Sequence, residues 1–160
     1  MLNVFAIAFA LNIAPQVVQV PVEAPRLPDG PLAFAGPFGA NRLYLDAASW
    51  ERSDLPGLVG GTVVIVTPGD AAPIQVMRAW IDCGRRVYQL SPGRAYNAAG
   101  LEFAPTSFLP DQPVGTDGPV KHLADRVCVT PFDLQTMDSA PGWREALDEV
   151  RGAVAQGVAR

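Results

Sequence analysis

The chain has 160 residues, of which 49% are hydrophobic and 18% are charged. This composition suits one folded domain with a sizeable core and excludes disorder over the whole chain. The net charge is −4, with one lysine against eleven arginines, and it provides no basic footprint for a nucleic-acid backbone. We therefore expect no nucleic-acid partner.

The N-terminal residues 1–22 begin with an almost uncharged apolar run, Met1 to Ala14. The run is too short to cross about 30 Å of hydrocarbon as a helix, but its length is typical of the apolar region of a signal peptide. No lysine or arginine precedes it, and a buried first strand built on the following valines is the alternative. We expect residues 1–22 to be an export segment, with no membrane span after processing. Recurrent prolines predict a linker over residues 23–38, and the folded domain is placed at residues 39–160.

Two strands are predicted before the middle of the chain. Apolar and polar residues alternate from Arg42 to Asp46, which predicts the first strand. The β-branched run from Thr62 to Thr67 predicts the second. The stretch between them contains Pro56-Gly57 and Gly60-Gly61, which we interpret as turns of a connection.

The longest predicted strand runs from Ile74 to Cys83 and leads into a hairpin. One face of this strand carries Met77, Ala79, Ile81 and Cys83, and the other carries Ile74, Val76, Arg78, Trp80 and Asp82. The first face carries no charged residue, so it is the better candidate for the core face. Gly84 permits a tight reversal, after which Arg86 to Leu90 returns as the partner strand.

The remaining elements alternate between turns and short regular segments. A turn at 96–100 precedes a short strand that begins at Leu101, and residues 105–119 are predicted to be irregular. A short helix is predicted over 120–128. Asp138 or Ser139 is a credible N-cap for a C-terminal helix of about 16 residues, with one apolar stripe that would cover a sheet face.

Only two cysteines occur, Cys83 and Cys128. An even, minimal count in an exported chain favours one disulfide, with two buried free thiols as the alternative. Structural zinc is disfavoured, because four ligands are needed and His122 is the only other soft one. The predicted fold class is therefore α+β: a mainly antiparallel β-sheet of about five to six strands, with a C-terminal helix packed on one face and one disulfide.

The order of elements from Arg42 to Cys128 resembles the bacterial surface-adhesin protein E family. The similarity lies in Arg42 to Ser49 ("RLYLDAAS"), in Ala79 to Cys83 ("AWIDC") followed by Arg85 to Tyr88 ("RRVY"), and in the turn Tyr96 to Gly100 ("YNAAG"). It covers a little over half of the chain. The resemblance implies an antiparallel sheet that carries a helix, a bridge between the two cysteines, and an outer-surface protein that binds host matrix and serum proteins. The surface here is poor in lysine, so lysine-dependent capture of host proteases is not expected.

No motif indicates catalysis or a cofactor. His122 is the only histidine, no G-x-S-x-G elbow is present, and the glycines form neither a P-loop nor a dinucleotide fingerprint. We expect no enzymatic activity, no cofactor and no metal site. The alternative is a periplasmic enzyme or enzyme inhibitor, and an enzyme would need His122 to meet a carboxylate and a hydroxyl in a concave pocket.

Aromatic and arginine side chains are the remaining candidates for binding a protein partner, namely Trp50, Arg78, Trp80, Arg86 and Tyr88. If Trp80 faces outward beside Arg78, the sheet exposes a patch suited to a protein. The alternative is that Trp80 packs under the C-terminal helix against Trp143. We expect an exported, non-enzymatic module of the periplasm or cell surface. It would bind matrix-type or envelope proteins through a sheet face or edge, and edge pairing could also give a homodimer.

Overall fold

The computed structural model describes residues 24–69 and 71–156, and the predicted export segment lies outside these residues. In the described part, ten strands form one antiparallel sheet with two helices packed on it. The strands are β1 (Leu32–Phe38), β2 (Asn41–Asp46), β3 (Glu51–Arg52), β4 (Leu58–Val66), β5 (Ile74–Asp82), β6 (Val87–Leu90), β7 (Arg94–Tyr96), β8 (Glu102–Pro105), β9 (Leu109–Pro113) and β10 (Ser139–Ala140). The helices are α1 (Pro119–Val127) and α2 (Trp143–Ala155).

The sheet is a meander in the order β10-β1-β2-β4-β5-β6-β9, with β3, β7 and β8 extending three of its rows. The first of these rows consists of β2 and β3, which both pair with β4. The second consists of β6 and β7, which both pair with β5. The third consists of β9, which pairs with β6, and β8, which pairs with β7. The mainly antiparallel sheet with a C-terminal helix is confirmed. The predicted number of five to six strands is wrong, because the sheet has seven rows and three of these are each broken into two strands.

The break between β6 and β7 has a clear physical cause. Pro92 has no N–H to give to the ladder, and the next residue, Gly93, lies directly against the backbone of β5. A Cβ at Gly93 would stand 1.9 Å from the carbonyl oxygen of Val76, so only glycine fits there. Ser91 closes the gap by donating its backbone N–H to the carbonyl of Arg78 at 2.9 Å.

Each face of the sheet carries one helix and contributes to a core beneath that helix. On the α1 side the core contains Met77, Ala79 and Ile81 of β5, and on the α2 side it contains Ile74 and Val76. The predicted alternation of β5 is therefore confirmed. The face that carries Met77 is a core face as expected, but the opposite face is a core face too.

Two predicted segment assignments are wrong because strand pairing extends the sheet into both segments. The linker expected over 23–38 ends early, since residues 32–38 form β1 and Leu32 is fully buried. The irregular segment expected over 105–119 contains β9, which pairs with β6, and the first residue of α1.

The start of α2 also differs from the expectation. Ser139 and Ala140 form β10, with Ser139 opposite Ala33 and Ala140 opposite Leu32 of β1, so neither Asp138 nor Ser139 is the N-cap. Gly142 takes that position, and α2 has 13 residues. Its buried residues, Trp143, Ala146, Leu147 and Val150, come from the predicted apolar stripe.

Candidate functional site

Helix α2 covers only one end of its side of the sheet. Along β5, Ile74 and Val76 are fully buried beneath the helix, whereas Arg78, Trp80 and Asp82 on the same side are only half-buried. These three residues point in one direction because side chains alternate along a strand. The uncovered half of this face is the candidate functional site.

Arg78 and Trp80 form the centre of this open surface. The guanidinium carbon of Arg78 lies 4.7 Å from the centroid of the Trp80 ring, which is the geometry of a cation–π pair. Arg78 also forms an ion pair with Glu51 of β3. The benzene ring of Trp80 rests on Gly60, directly opposite in β4, where an added Cβ would meet it at 2.5 Å. These two contacts position the indole at the centre of the open surface.

A groove runs from Trp80 toward the tip of the β5–β6 hairpin, and we call it the Trp80 groove. Its volume is about 270 Å³, and it opens to solvent. Its apolar wall is built from Leu55, Leu58, Trp80 and Val87, with Leu55 63% exposed. Its polar end is formed by Asp82, Arg85 and Asp111.

The polar end of the Trp80 groove is loosely held. Arg85 is 68% exposed and lies 3.9 Å from Asp82 and 3.6 Å from Asp111, both too long for hydrogen bonds. One oxygen of Asp82 accepts the backbone N–H of Arg85 at 2.8 Å. One guanidinium therefore serves two carboxylates, and neither contact is tight.

Trp50 is not on this surface. It is only 7% exposed, belongs to the core on the α1 side, and covers Gly61. In the folded domain its ring packs in the core, so Trp50 does not contribute to the open surface. The adjacent glycines Gly60 and Gly61 are not a turn but lie within β4, and each leaves room for a tryptophan on an opposite face of the sheet.

Arg86 and Tyr88 also belong to the α1 side. Tyr88 is half-buried against the core under α1, and this burial raises the pKa of its hydroxyl. Arg86 has a positive φ of 54° in the hairpin turn and forms an ion pair at 3.2 Å with Asp125 of α1. The structure thus places Arg78 beside Trp80 and places Trp50 and Arg86 elsewhere. Tyr88 packs against the core under α1 but also lines the Trp80 groove. Trp143 does not pack against Trp80; it lies beside Gly100 and Leu27.

The disulfide between Cys83 and Cys128 is confirmed. The two Cα atoms are 5.6 Å apart, and the bond joins the end of β5 to the residue that caps α1. The nearby Arg86–Asp125 pair links the turn between β5 and β6 to α1 without a covalent bond. Helix α1 is therefore fastened to the hairpin twice.

His122 lies on α1, in a groove of about 470 Å³ that Asp125, Asp133 and Thr136 also line. The hydroxyl in this groove is already engaged, because Thr136 donates to Asp133 at 3.1 Å and accepts from Arg126. Arg126 also donates to the Asp133 carboxylate at 2.8 Å. These bonds fasten the segment after the disulfide to α1. Within the described residues, no three histidine, cysteine or acidic side chains are placed to hold a metal ion.

The outer row of the sheet, β8 and β9, has no strand on its far side in the described part of the chain. Three large apolar side chains in or beside this row are exposed: Leu101 (65%), Phe103 (64%) and Phe108 (51%). Pro105, Pro110 and Pro113 fall in the same row and remove backbone donors, which is how natural sheets limit pairing at an edge.

Several residues of the Trp80 groove were not singled out from the sequence. The alternation of β5 did place Asp82 beside Trp80, and the hairpin brings Val87 opposite Asp82. No sequence pattern placed Asp111 near Trp80, because Asp111 lies in a segment whose prolines indicate irregular structure. Leu55 lies in a turn and is brought to the groove only by the path of the chain between β3 and β4.

Comparison with known protein families, with curated proteins and with solved structures finds no match to this chain. Among the described residues, neither helix has the length and apolar character needed to cross a bilayer.

Proposed function

We propose that this protein is an exported, non-enzymatic module of the cell envelope that binds a protein partner through the open half of the α2 side of its sheet. The observation that carries the proposal is the Arg78–Trp80 pair, half-buried and held in place beside an open groove. Tryptophan and arginine are enriched at the energetic centres of protein interfaces, and rigid side chains lose little entropy on binding.

The disulfide supports the compartment in this proposal. Such bonds persist outside the cell or in the periplasm, and reducing systems keep thiols free in the cytosol. The periplasm or the cell surface is therefore the proposed location. Free thiols at Cys83 and Cys128 in non-reducing mass spectrometry of protein taken from its native cells would contradict it.

A surface-adhesin-like role is consistent with this architecture, although the proposal does not depend on the resemblance. A hydrolase built on His122 is the competing function. The bonds of Thr136 to Arg126 and Asp133 favour a structural role for that groove, since the hydroxyl would have to be released before His122 could activate it.

The test is capture of partners from periplasmic and secreted fractions with the tagged chain and two variants. Trp80→Leu removes the aromatic centre, and Leu101→Ser is the matched control, an exposed apolar residue beside the open edge. We expect Trp80→Leu to lose the captured protein and Leu101→Ser to retain it. Unchanged capture by a folded Trp80→Leu variant would overturn the proposal, and loss by Leu101→Ser alone would move the interface to the β8–β9 edge.

A further inference from the structure

The chemistry of the Trp80 groove indicates what kind of group it accepts, an inference that rests on the proposed function. We propose that the groove receives one arginine or lysine side chain of the partner protein. The stem of that side chain would lie along Leu58, Trp80 and Val87. Its charged head would meet Asp82 and Asp111.

The size of the groove is the first argument. Pockets for drug-sized ligands measure roughly 300–1,000 Å³. At about 270 Å³ the Trp80 groove lies at the lower end of that range, and this volume accommodates a single long side chain. The Arg78 guanidinium lies over the Trp80 ring, so a sugar would have to compete with it for that face.

The distribution of polarity is the second argument. The groove combines the apolar side chains of Leu58, Trp80 and Val87 with the carboxylates of Asp82 and Asp111. This combination matches a side chain with an aliphatic stem and a cationic head. Asp82 and Asp111 together carry two negative charges against the single positive charge of Arg85. This surplus complements a second cation. The Asp111 carboxylate is 52% exposed and therefore accessible to it.

The loose contacts of Arg85 are the third argument. At 3.6 Å and 3.9 Å they can be rearranged without the loss of hydrogen bonds. An incoming guanidinium could bind the carboxylates with two parallel bonds, whereas an ammonium would bind as a point charge. We therefore expect arginine to bind better than lysine.

The experiment uses NMR of the uniformly ¹⁵N-labelled full chain, titrated with N-acetyl-arginine amide. The chain has three tryptophans, and Trp50 and Trp143 are 7% and 5% exposed, so their indole N–H signals are internal references. We expect the Trp80 indole signal to move, with N-acetyl-lysine amide acting more weakly and N-acetyl-norleucine amide, which lacks the charge, acting least. Added salt should weaken the effect.

Two variants test the acidic end. Asp111→Asn should weaken arginine-amide binding about tenfold, the effect of one charge-assisted hydrogen bond. Asp117→Asn, an exposed carboxylate outside the groove, should leave it unchanged. An Asp111→Asn variant that binds as wild type does would overturn the proposal.

The ligand series separates this proposal from the proposed function. If norleucine amide shifts the Trp80 signal as strongly as arginine amide, or a neutral trisaccharide shifts it and arginine amide does not, the basic-side-chain proposal is wrong. Loss of partner capture by Trp80→Leu would still support the binding surface in either case. Unchanged capture of the partner by the Trp80→Leu variant would instead contradict the proposed function itself.

Discussion

The benzene ring of Trp80 lies directly over Gly60, its partner across β4 and β5, and no side chain larger than hydrogen fits beneath it. On the opposite face of the same strand, Trp50 lies over Gly61 in the same way. The two adjacent glycines thus let two tryptophans approach β4 from opposite sides, one to fill the core and one to form the open surface.

This arrangement predicts unequal effects of alanine at the two glycines. Gly61→Ala should destabilise the fold by about 1–3 kcal/mol, the usual cost of overpacking, because Trp50 is confined in the core. Gly60→Ala should cost less, since the half-exposed Trp80 can swing toward solvent. Urea unfolding measures both. An equal loss of stability, or a larger loss for Gly60→Ala, would contradict the confinement of Trp50.

The disulfide should contribute most of the stability that fastens α1 to the hairpin. Its cysteines are 45 residues apart, and closing such a loop stabilises the fold by about 4 kcal/mol in the chain-entropy model. The double variant Cys83→Ser/Cys128→Ser should therefore unfold at a much lower urea concentration than the wild type. Treatment with a reductant should bring the wild type to the level of the variant and leave the variant unchanged. A wild type that is insensitive to reduction would contradict the prediction.

Asp125 should make part of the stability dependent on acid pH. The hydrogen bond from Lys121 and the one from Arg86 hold the pKa of the Asp125 carboxyl below its usual range. Because that pKa is lower in the folded than in the unfolded chain, the contribution is present above about pH 4 and is lost as the pH falls through the folded value. Exposed ion pairs contribute about 0.2–1 kcal/mol, so the effect is small.

The measurement for Asp125 is a series of urea unfolding midpoints from neutral to acid pH. Asp125→Asn should be less stable than the wild type at neutral pH and should converge with it in acid. Asp117→Asn, another exposed carboxylate, is the control and should follow the wild-type curve. Parallel curves for Asp125→Asn and the wild type would show that the contacts do not contribute.

Tyr44 should make the fold sensitive to alkali. It is fully buried under α2, and burial, followed by the nearby charge of Glu149, raises the pKa of its hydroxyl. The folded value exceeds the unfolded value of about 10, so the stabilisation is complete below that pH and is lost as the pH rises above it. Tyr44→Phe should unfold at a higher pH than the wild type in an alkaline titration followed by circular dichroism.

The cost of Tyr44→Phe at neutral pH should be small. The hydroxyl lies 3.4 Å from Glu149, a long hydrogen bond, and Glu149 keeps its ion pair with Arg42. A variant that is strongly destabilised at neutral pH, or one that unfolds in alkali together with the wild type, would contradict this account.

Local patterns in the chain were sufficient for the elements whose formation depends on near neighbours. The alternation of β5 put Arg78, Trp80 and Asp82 on one face, the reversal at Gly84 predicted the β5–β6 hairpin, and the pair of cysteines indicated the bridge. Periods of two and of three to four residues determine which side chains share a face, and that information is contained in a few consecutive residues.

The tertiary structure alone decided which face is covered and how far. β10 forms only because it finds a distant partner in β1, whereas β1 also pairs with its neighbour β2. β9 forms because β6 lies beside it, although prolines surround it. The packing of whole elements determines that α2 stops short of Trp80. It also determines that Asp111 lies in the groove with Asp82. Such contacts join residues far apart in the chain, and local propensity contains no information about them.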